Sequence, residues 1–231
     1  MSALQIDNLS AGYGEAIVLR GVSLSLNAGS VLAVLGKNGM GKTTLLKTVM
    51  GFLPVREGRI AVLGEDVTGI RPYRLSSRSV TYSPQDQAIF GELTVEENLR
   101  LGLRRRNLFA AGLERVAAFF PVLATRRSQK AGTLSGGEQK MLIMARALMA
   151  KPALMLVDEI TEGLQPSVIA RLADVLRAQR DEGTAILLIE QNIAFALAVA
   201  DRYAVLARGE IADEGAAEME AASRIADQLA V

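Results

Sequence analysis

The chain has 231 residues, half of them apolar, and carries 26 lysines and arginines against 25 acids. That length can bury a sizeable core, and the even balance leaves no global field of one sign to recruit nucleic acid or an anionic membrane. Cysteine and histidine are both absent, which excludes disulfides and thiolate or imidazole metal sites, fits a reducing compartment, and leaves any catalysis to carboxylates, lysine and a bound hard cation.

In chain order, Leu4-Gln5-Ile6 and Val22-Ser23-Leu24-Ser25-Leu26 alternate apolar and polar residues, and Asn27-Ala28-Gly29 is a turn signal, so the chain is expected to open with short antiparallel strands. The apolar run Val31–Leu35 reads as a buried strand. It leads into Gly36-Lys37-Asn38-Gly39-Met40-Gly41-Lys42-Thr43, which fits the phosphate-loop pattern GxxxxGK[ST] at every fixed position, with Thr44 following. Glycines let successive backbone N–H groups turn inward on phosphate oxygens. A helix starting at Gly41 or Lys42 and carrying the apolar stretch from Leu45 to Met50 adds its positive dipole end. The ligand this implies is a nucleoside triphosphate, with Lys42 on its β- and γ-phosphates and the Thr43 hydroxyl on Mg²⁺. A glycine-rich turn with a surface lysine is the bland alternative, and the strand before and helix after count against it.

Residues 58–64 and 80–85 are strand-like, the second halted by Pro84. After Gln85, Ile89, Phe90 and Leu93 put apolar side chains into what otherwise reads as a loop, which predicts an interaction surface. From about 94 to 150 the pattern becomes helical: Thr94 and Glu97 offer a capping box, and Leu113, Val116, Ala117 and Phe120 recur at helical spacing, so a helical sub-domain is expected. The basic clusters Arg104-Arg105-Arg106 and Arg126-Arg127 read as solvated surface. Residues 153–157 and 185–189 are continuously apolar, as in a parallel sheet buried on both faces, with a helix over 168–180 making a right-handed crossover. The first of these strands closes on Asp158-Glu159, delivering carboxylates to the edge where open α/β sheets bind ligands. Asp158 is expected to hold Mg²⁺, through water, and Glu159 to polarise the attacking water; a solvated acidic turn is the commoner reading of such an ending when no phosphate loop stands beside it. The apolar stretch Ile193–Ala200 falls short of the ~20 residues that span a bilayer, and no charged and apolar leader opens the chain. The stretch from Asp213 is expected to finish as a helix. With no repeat or heptad series, the organisation expected is one domain over residues 1–231: an α/β core with a small antiparallel edge and a helical insertion.

Leu134-Ser135-Gly136-Gly137-Glu138-Gln139 resembles, without mismatch, the signature motif of the ATP-binding cassette (ABC) family. Physically it is an anion-binding turn placed before an apolar helix over 141–149. The resemblance covers almost the whole chain and implies a P-loop NTPase core with a mixed, largely parallel sheet, ATP and Mg²⁺ as ligands, and ATP hydrolysis. It implies that Tyr13 stacks on adenine and that Gln85 senses Mg²⁺ and the attacking water. Two such domains pair head to tail in that family. Each ATP then lies between the phosphate loop, Asp158 and Glu159 of one subunit and Ser135, Gly136, Gly137 and Glu138 of the other. The chain departs from the pattern where Ile160 replaces the proline after the catalytic glutamate, where Gln165 replaces an aspartate, and where Gln191 takes the place of the switch histidine. An amide still donates a hydrogen bond to a γ-phosphate but cannot titrate. With Glu190-Gln191-Asn192, Asp201-Arg202 and Thr161-Glu162-Gly163-Leu164-Gln165-Pro166, the chain looks like the ATPase subunits of importers for branched-chain amino acids, urea and short amides. That implies a second ABC ATPase as homo- or heterodimer partner, two integral membrane permease subunits, a separate extracytoplasmic substrate-binding protein and a peripheral place at the cytoplasmic face of the inner membrane, with no nucleic acid bound. An exporter ATPase is the alternative. A DNA-acting ABC ATPase would need coiled coils between the phosphate loop and the signature, and none is visible.

Overall fold

The structure, a computed structural model, describes residues 2–85, 89–103 and 105–230. Strands β1 (Ser2–Tyr13) and β2 (Ala16–Asn27) form a long antiparallel hairpin. Both run past the short alternating stretches that predict them, because the ladder shifts register between Ile6 and Leu9 and again between Leu9 and Ala11. Each shift slips the inside–outside phase, and a strict period of two stops there. Then come β3 (Val31–Leu35), buried throughout, and α1 (Lys42–Val49). Strand β4 (Val55–Val62) pairs with β1 and with the short β5 (Glu65–Asp66), giving a four-stranded sheet in the order β2-β1-β4-β5. The strand expected over 58–64 therefore begins earlier and ends at Val62: Leu63 and Gly64 adopt left-handed φ of 52° and 82° and turn the chain into β5.

Helix α2 (Pro72–Ser76) and β6 (Val80–Ser83) follow, the strand ending before Pro84 as expected. The helical stretch is built of α3 (Val95–Arg100), α4 (Phe109–Phe119), α5 (Pro121–Thr125) and α6 (Gly136–Met149). Thr94 and Glu97 form the capping box, and Val116 and Phe120 are buried together with Leu99, Leu123, Leu142 and Met144. Arg126 and Arg127 pair with Glu138 and Glu96, which is the surface reading; Arg104 lies outside the described residues. Strand β7 (Leu154–Asp158), α7 (Pro166–Asp181), β8 (Ala185–Glu190), α8 (Ile193–Val199), β9 (Arg202–Ala207), β10 (Glu210–Ala216) and α9 (Ala221–Ala230) complete the chain. Helix is thus reached at the end, but residues 213–216 belong to a strand. Ladder bonds to β9 outweigh the helical preference of alanine and glutamate there.

The second sheet has six strands in the order β10-β9-β3-β8-β7-β6, parallel except for β10 at its edge. Its central strands are buried on both faces, and the period of two assigns their side chains to layers. Leu154 and Leu156 of β7, and Leu187 and Ile189 of β8, join the layer that contains α1 and the antiparallel sheet. Met155, Val157, Ile186 and Leu188 face the layer holding α7 and the helical stretch. Strand order brings the carboxyl ends of β3, β8 and β7 side by side, and the phosphate loop, Gln191 and Asp158-Glu159 leave the sheet at that edge. Among the described residues, no helix is long and apolar enough to cross a membrane.

Candidate active site

Helix α1 starts on Gly41, whose φ of 102° is closed to most side chains; a Cβ there would stand 2.9 Å from Leu19. At Gly36 a Cβ would meet the Leu206 carbonyl oxygen at 2.7 Å, so the loop backbone lies directly against β9. Unlike α3 and α6, α1 has no side-chain cap and no acid in its first turn. Its positive end is left to a ligand, the arrangement that suits an anion. A cleft of ≈ 280 Å³ opens over it, lined by Tyr13, Val18, Asn38, Gly39, Gly41, Lys42, Thr43, Thr44, Gln85 and Glu159. Tyr13 stands at the edge with 45 % of its surface exposed, as an aromatic platform must if a base is to reach it.

The acids come from β7. Asp158 is fully buried; its Oδ1 accepts a hydrogen bond from Thr43 Oγ1 at 3.4 Å and its Oδ2 one from Tyr82 OH at 3.2 Å. Burial pushes the Asp158 carboxyl above the ordinary aspartate range, with the Tyr82 bond acting in the other direction. Burial, followed by the Asp158 charge, also pushes the Tyr82 phenol up, so it remains a donor.

Glu159 adopts φ = 43°, a left-handed conformation rare for a glutamate, and its N–H donates to the Ile189 carbonyl at 3.0 Å. The side chain is 4 % exposed. Its Oε1 pairs with Lys42 Nζ at 2.9 Å, and its Oε2 accepts from Gln85 Nε2 and Gln191 Nε2, both at 3.0 Å. Lys42, itself 3 % exposed, also donates to the Lys37 carbonyl at 3.0 Å. Gln191 reaches back to Asn38 Oδ1 at 2.7 Å. Gln85 donates to Glu162 Oε2 at 2.7 Å, and Lys140 Nζ donates to the Gln85 carbonyl. The residues read from the sequence as phosphate loop, base, sensor and switch thus meet on one carboxylate.

Ser135, Gly136, Gly137 and Glu138 stand outside this cleft, at the start of α6. The helix begins at Gly136 rather than after the signature, because Ser135 is its N-cap and Glu138 closes a capping box. Glu138 Oε2 accepts from Ser135 N–H and Oγ, both at 3.0 Å, and its Oε1 pairs with Arg126 at 3.1 Å. These bonds hold the Glu138 carboxyl below the ordinary glutamate range, chiefly through the Ser135 N–H.

Sequence reasoning missed Tyr82, Glu162, Lys140 and the buried pair Glu190–Thr161. Only the strand order places Tyr82 beside Asp158. The Ser135-x-x-Glu138 cap, by contrast, is readable in the sequence.

A family model described as ABC transporter matches residues 19–162. The high-affinity branched-chain amino acid transport ATP-binding protein BraG of Pseudomonas aeruginosa is 39 % identical over 93 % of this chain and 94 % of its own length. The probable branched-chain amino acid transport ATP-binding protein LivF of Archaeoglobus fulgidus is 36 % identical over 93 % and 92 %. The lipopolysaccharide export system ATP-binding protein LptB of Haemophilus influenzae is 32 % identical over 94 % and 92 %, so similar cassettes carry amino acid transport names and an export name. A crystal structure of an ATP-binding cassette of an ABC transporter in its ADP conformation superimposes with a TM-score of 0.89 at 28 % identity, covering all of this chain and 97 % of the other. This chain thus belongs to the ABC transporter family, as one of its ATP-hydrolysing cassettes.

Proposed function

We propose that the chain is the ATP-hydrolysing subunit of a multi-subunit importer for branched-chain amino acids, urea or short amides, a single ATPase domain over residues 1–231 with its helical sub-domain at about 94–150. The observation that carries the catalytic part is the convergence of Lys42, Gln85 and Gln191 on the buried carboxylate of Glu159. The branched-chain amino acid part rests on the names of BraG and LivF, and the importer part on the family resemblance of Glu190-Gln191-Asn192 and of Thr161-Glu162-Gly163-Leu164-Gln165-Pro166.

In this reading Gly36 to Thr44 bind the phosphates of ATP through backbone N–H groups and Lys42, and Tyr13 stacks on the base. Thr43, Asp158 and Gln85 are the residues that would hold Mg²⁺. They are oxygen donors as that cation requires, and Thr43 and Asp158 already lie against each other. The metal supplies countercharge to the β- and γ-phosphates. Lys42 is shared: a γ-phosphate competes with Glu159 for its ammonium, and its transfer frees the carboxylate to accept a proton from water. That proton acceptance is general-base catalysis, worth ~10²–10⁴-fold. Gln191, 2.7 Å from the loop's Asn38 and 3.0 Å from Glu159, donates to charge growing between them. Ser135, Gly136 and Gly137, with Glu138 as the cap that orders them, close the site of a second ATPase subunit, the same chain or a homologue. Two permease subunits and an extracytoplasmic receptor complete the assembly, with this chain peripheral at the cytoplasmic face of the inner membrane.

The test is reconstitution of the chain with the permease pair and receptor from its genomic neighbourhood in vesicles. ATP hydrolysis stimulated by receptor loaded with leucine, urea or a short amide is expected. Stimulation by none of these ligands overturns the importer assignment.

A further inference from the structure

Among the described residues the buried charged side chains are Lys42, Asp158, Glu159 and Glu190, and of these only Glu190 has no part in the reading above. It closes β8, which lies parallel beside β7 with Ile189 opposite Asp158. Its side chain is 2 % exposed and crosses to the loop that follows Glu159. Oε1 accepts from Thr161 N–H at 3.2 Å; Oε2 accepts from Thr161 Oγ1 at 2.9 Å and from Gln191 N–H at 3.3 Å. Thr161 is buried as well. One carboxylate therefore joins the loop carrying the base to the loop carrying the amide donor.

We propose that Glu190 is a positioning residue for hydrolysis: by tying Thr161 to Gln191 it fixes the separation of Glu159 and the Gln191 side chain, so that both act on one water. Glu159 needs such a constraint. A left-handed glutamate relaxes unless its surroundings hold it, and here it is held by its own N–H bond to Ile189 and by the Thr161 anchor just beyond it. Only a carboxylate meets the local demand, since Thr161 N–H, Thr161 Oγ1 and Gln191 N–H all donate. Glutamine has one acceptor oxygen and would turn an NH₂ group against a donor. Burial pushes the Glu190 carboxyl above the ordinary glutamate range, a cost partly offset by these bonds. A residue kept for packing alone would not need to be ionisable.

The inference rests on Glu159 being the base, so the experiment measures Glu159→Gln alongside Glu190→Gln, Thr161→Val, Thr161→Ser and the Glu190→Gln/Thr161→Val double variant. The readout is steady-state ATPase kinetics on the full chain. Glu190→Gln is expected to lower kcat about 10- to 100-fold, the effect of a misplaced catalytic group, with the KM for ATP within about twofold because the phosphate loop is untouched. Thr161→Val should lower kcat in the same direction and Thr161→Ser restore it. The double variant should be no slower than Glu190→Gln alone, since both changes remove one shared contact. Wild-type kcat in Glu190→Gln overturns the proposal, as do kcat losses that multiply in the double variant or a KM that rises as kcat falls. Should Glu190→Gln not fold, Thr161→Val decides, and wild-type kcat there overturns the proposal. Wild-type turnover in Glu159→Gln instead removes the base, and the purpose of the tie with it.

Discussion

Replacing Gln191 with alanine removes an amide that donates to Glu159 Oε2 at 3.0 Å and to Asn38 Oδ1 at 2.7 Å. A hydrogen bond to a charged group is worth about 1.5–3 kcal/mol. Gln191 is exposed, so the lower half of that range applies. At ~1.4 kcal/mol per decade this gives about a 10- to 40-fold loss of kcat. The KM for ATP should change little, because the phosphate loop and Lys42 are intact. Gln191→His extends the test, since the chain contains no histidine and its native pH–rate profile has no imidazole in it. The new ring faces the Glu159 carboxylate, which favours its charged form, so its pKa should lie at or above ~6.5. The variant should turn over at neutral and alkaline pH and lose rate as pH falls, when the imidazolium pairs with Glu159 and ties up the base. The assay is steady-state ATPase from about pH 5.5 to 8.5, a span bracketing free imidazole, for wild type and both variants. Wild-type kcat in Gln191→Ala, or a Gln191→His profile that superimposes on the native one, refutes the role given to this position.

Lys42→Ala should weaken Mg-ATP binding by far more than the ~0.4 kcal/mol that corresponds to a twofold change. It should also destabilise the nucleotide-free protein by about 3 kcal/mol, because Glu159 is left buried without its countercharge; adding Glu159→Gln should recover most of the lost unfolding midpoint, and no recovery means the pair is not coupled. Asp158→Asn should raise the unfolding midpoint at pH 7 without nucleotide or Mg²⁺. Its folded pKa is raised from the usual 3.8, so the carboxyl favours folding at low pH and opposes it as pH rises through the folded value. The same variant should lose ~100-fold or more of Mg²⁺-dependent hydrolysis, and a lowered midpoint contradicts the burial argument. Phe90→Asp should leave the isolated ATPase near normal and abolish stimulation by the permease pair: the Phe90 side chain is 56 % exposed while its backbone is held on both sides by the buried Asn98. Unfolding of that variant would instead assign Phe90 to the core.

What was legible in the sequence is what lies contiguous in it. The phosphate loop, the strand ending in Asp158-Glu159 and the signature each occupy one short run, and their chemistry follows from residue type and order. The half-buried state of Ile89 and Leu93 shows where that reading stops, since only Phe90 of the expected patch projects outward, while Ile89 packs on the second core layer. The bonds to Glu159 come from the segments that follow β3, β6 and β8, and their meeting depends on a strand order that no local pattern encodes. The contacts of Tyr82 and Glu190 are hidden for the same reason: each is one residue in a strand until its neighbour in the sheet is known. Composition misled at Asp213–Ala216, where edge pairing overrides propensity, and at Gly136, whose low helix propensity hid a helix start fixed by the Ser135 cap.

The central claim is that Glu159 is the base in a site completed by a second subunit, and Glu159→Gln tests it most directly. The amide keeps the size and one acceptor oxygen, cannot accept the water's proton, and leaves Lys42 uncontested for phosphate. Turnover and mass in solution, measured with Mg-ATP, should show hydrolysis reduced by ~10²–10⁴-fold and an ATP-bound dimer that persists. A monomer that still turns over ATP would contradict both the base and the shared site.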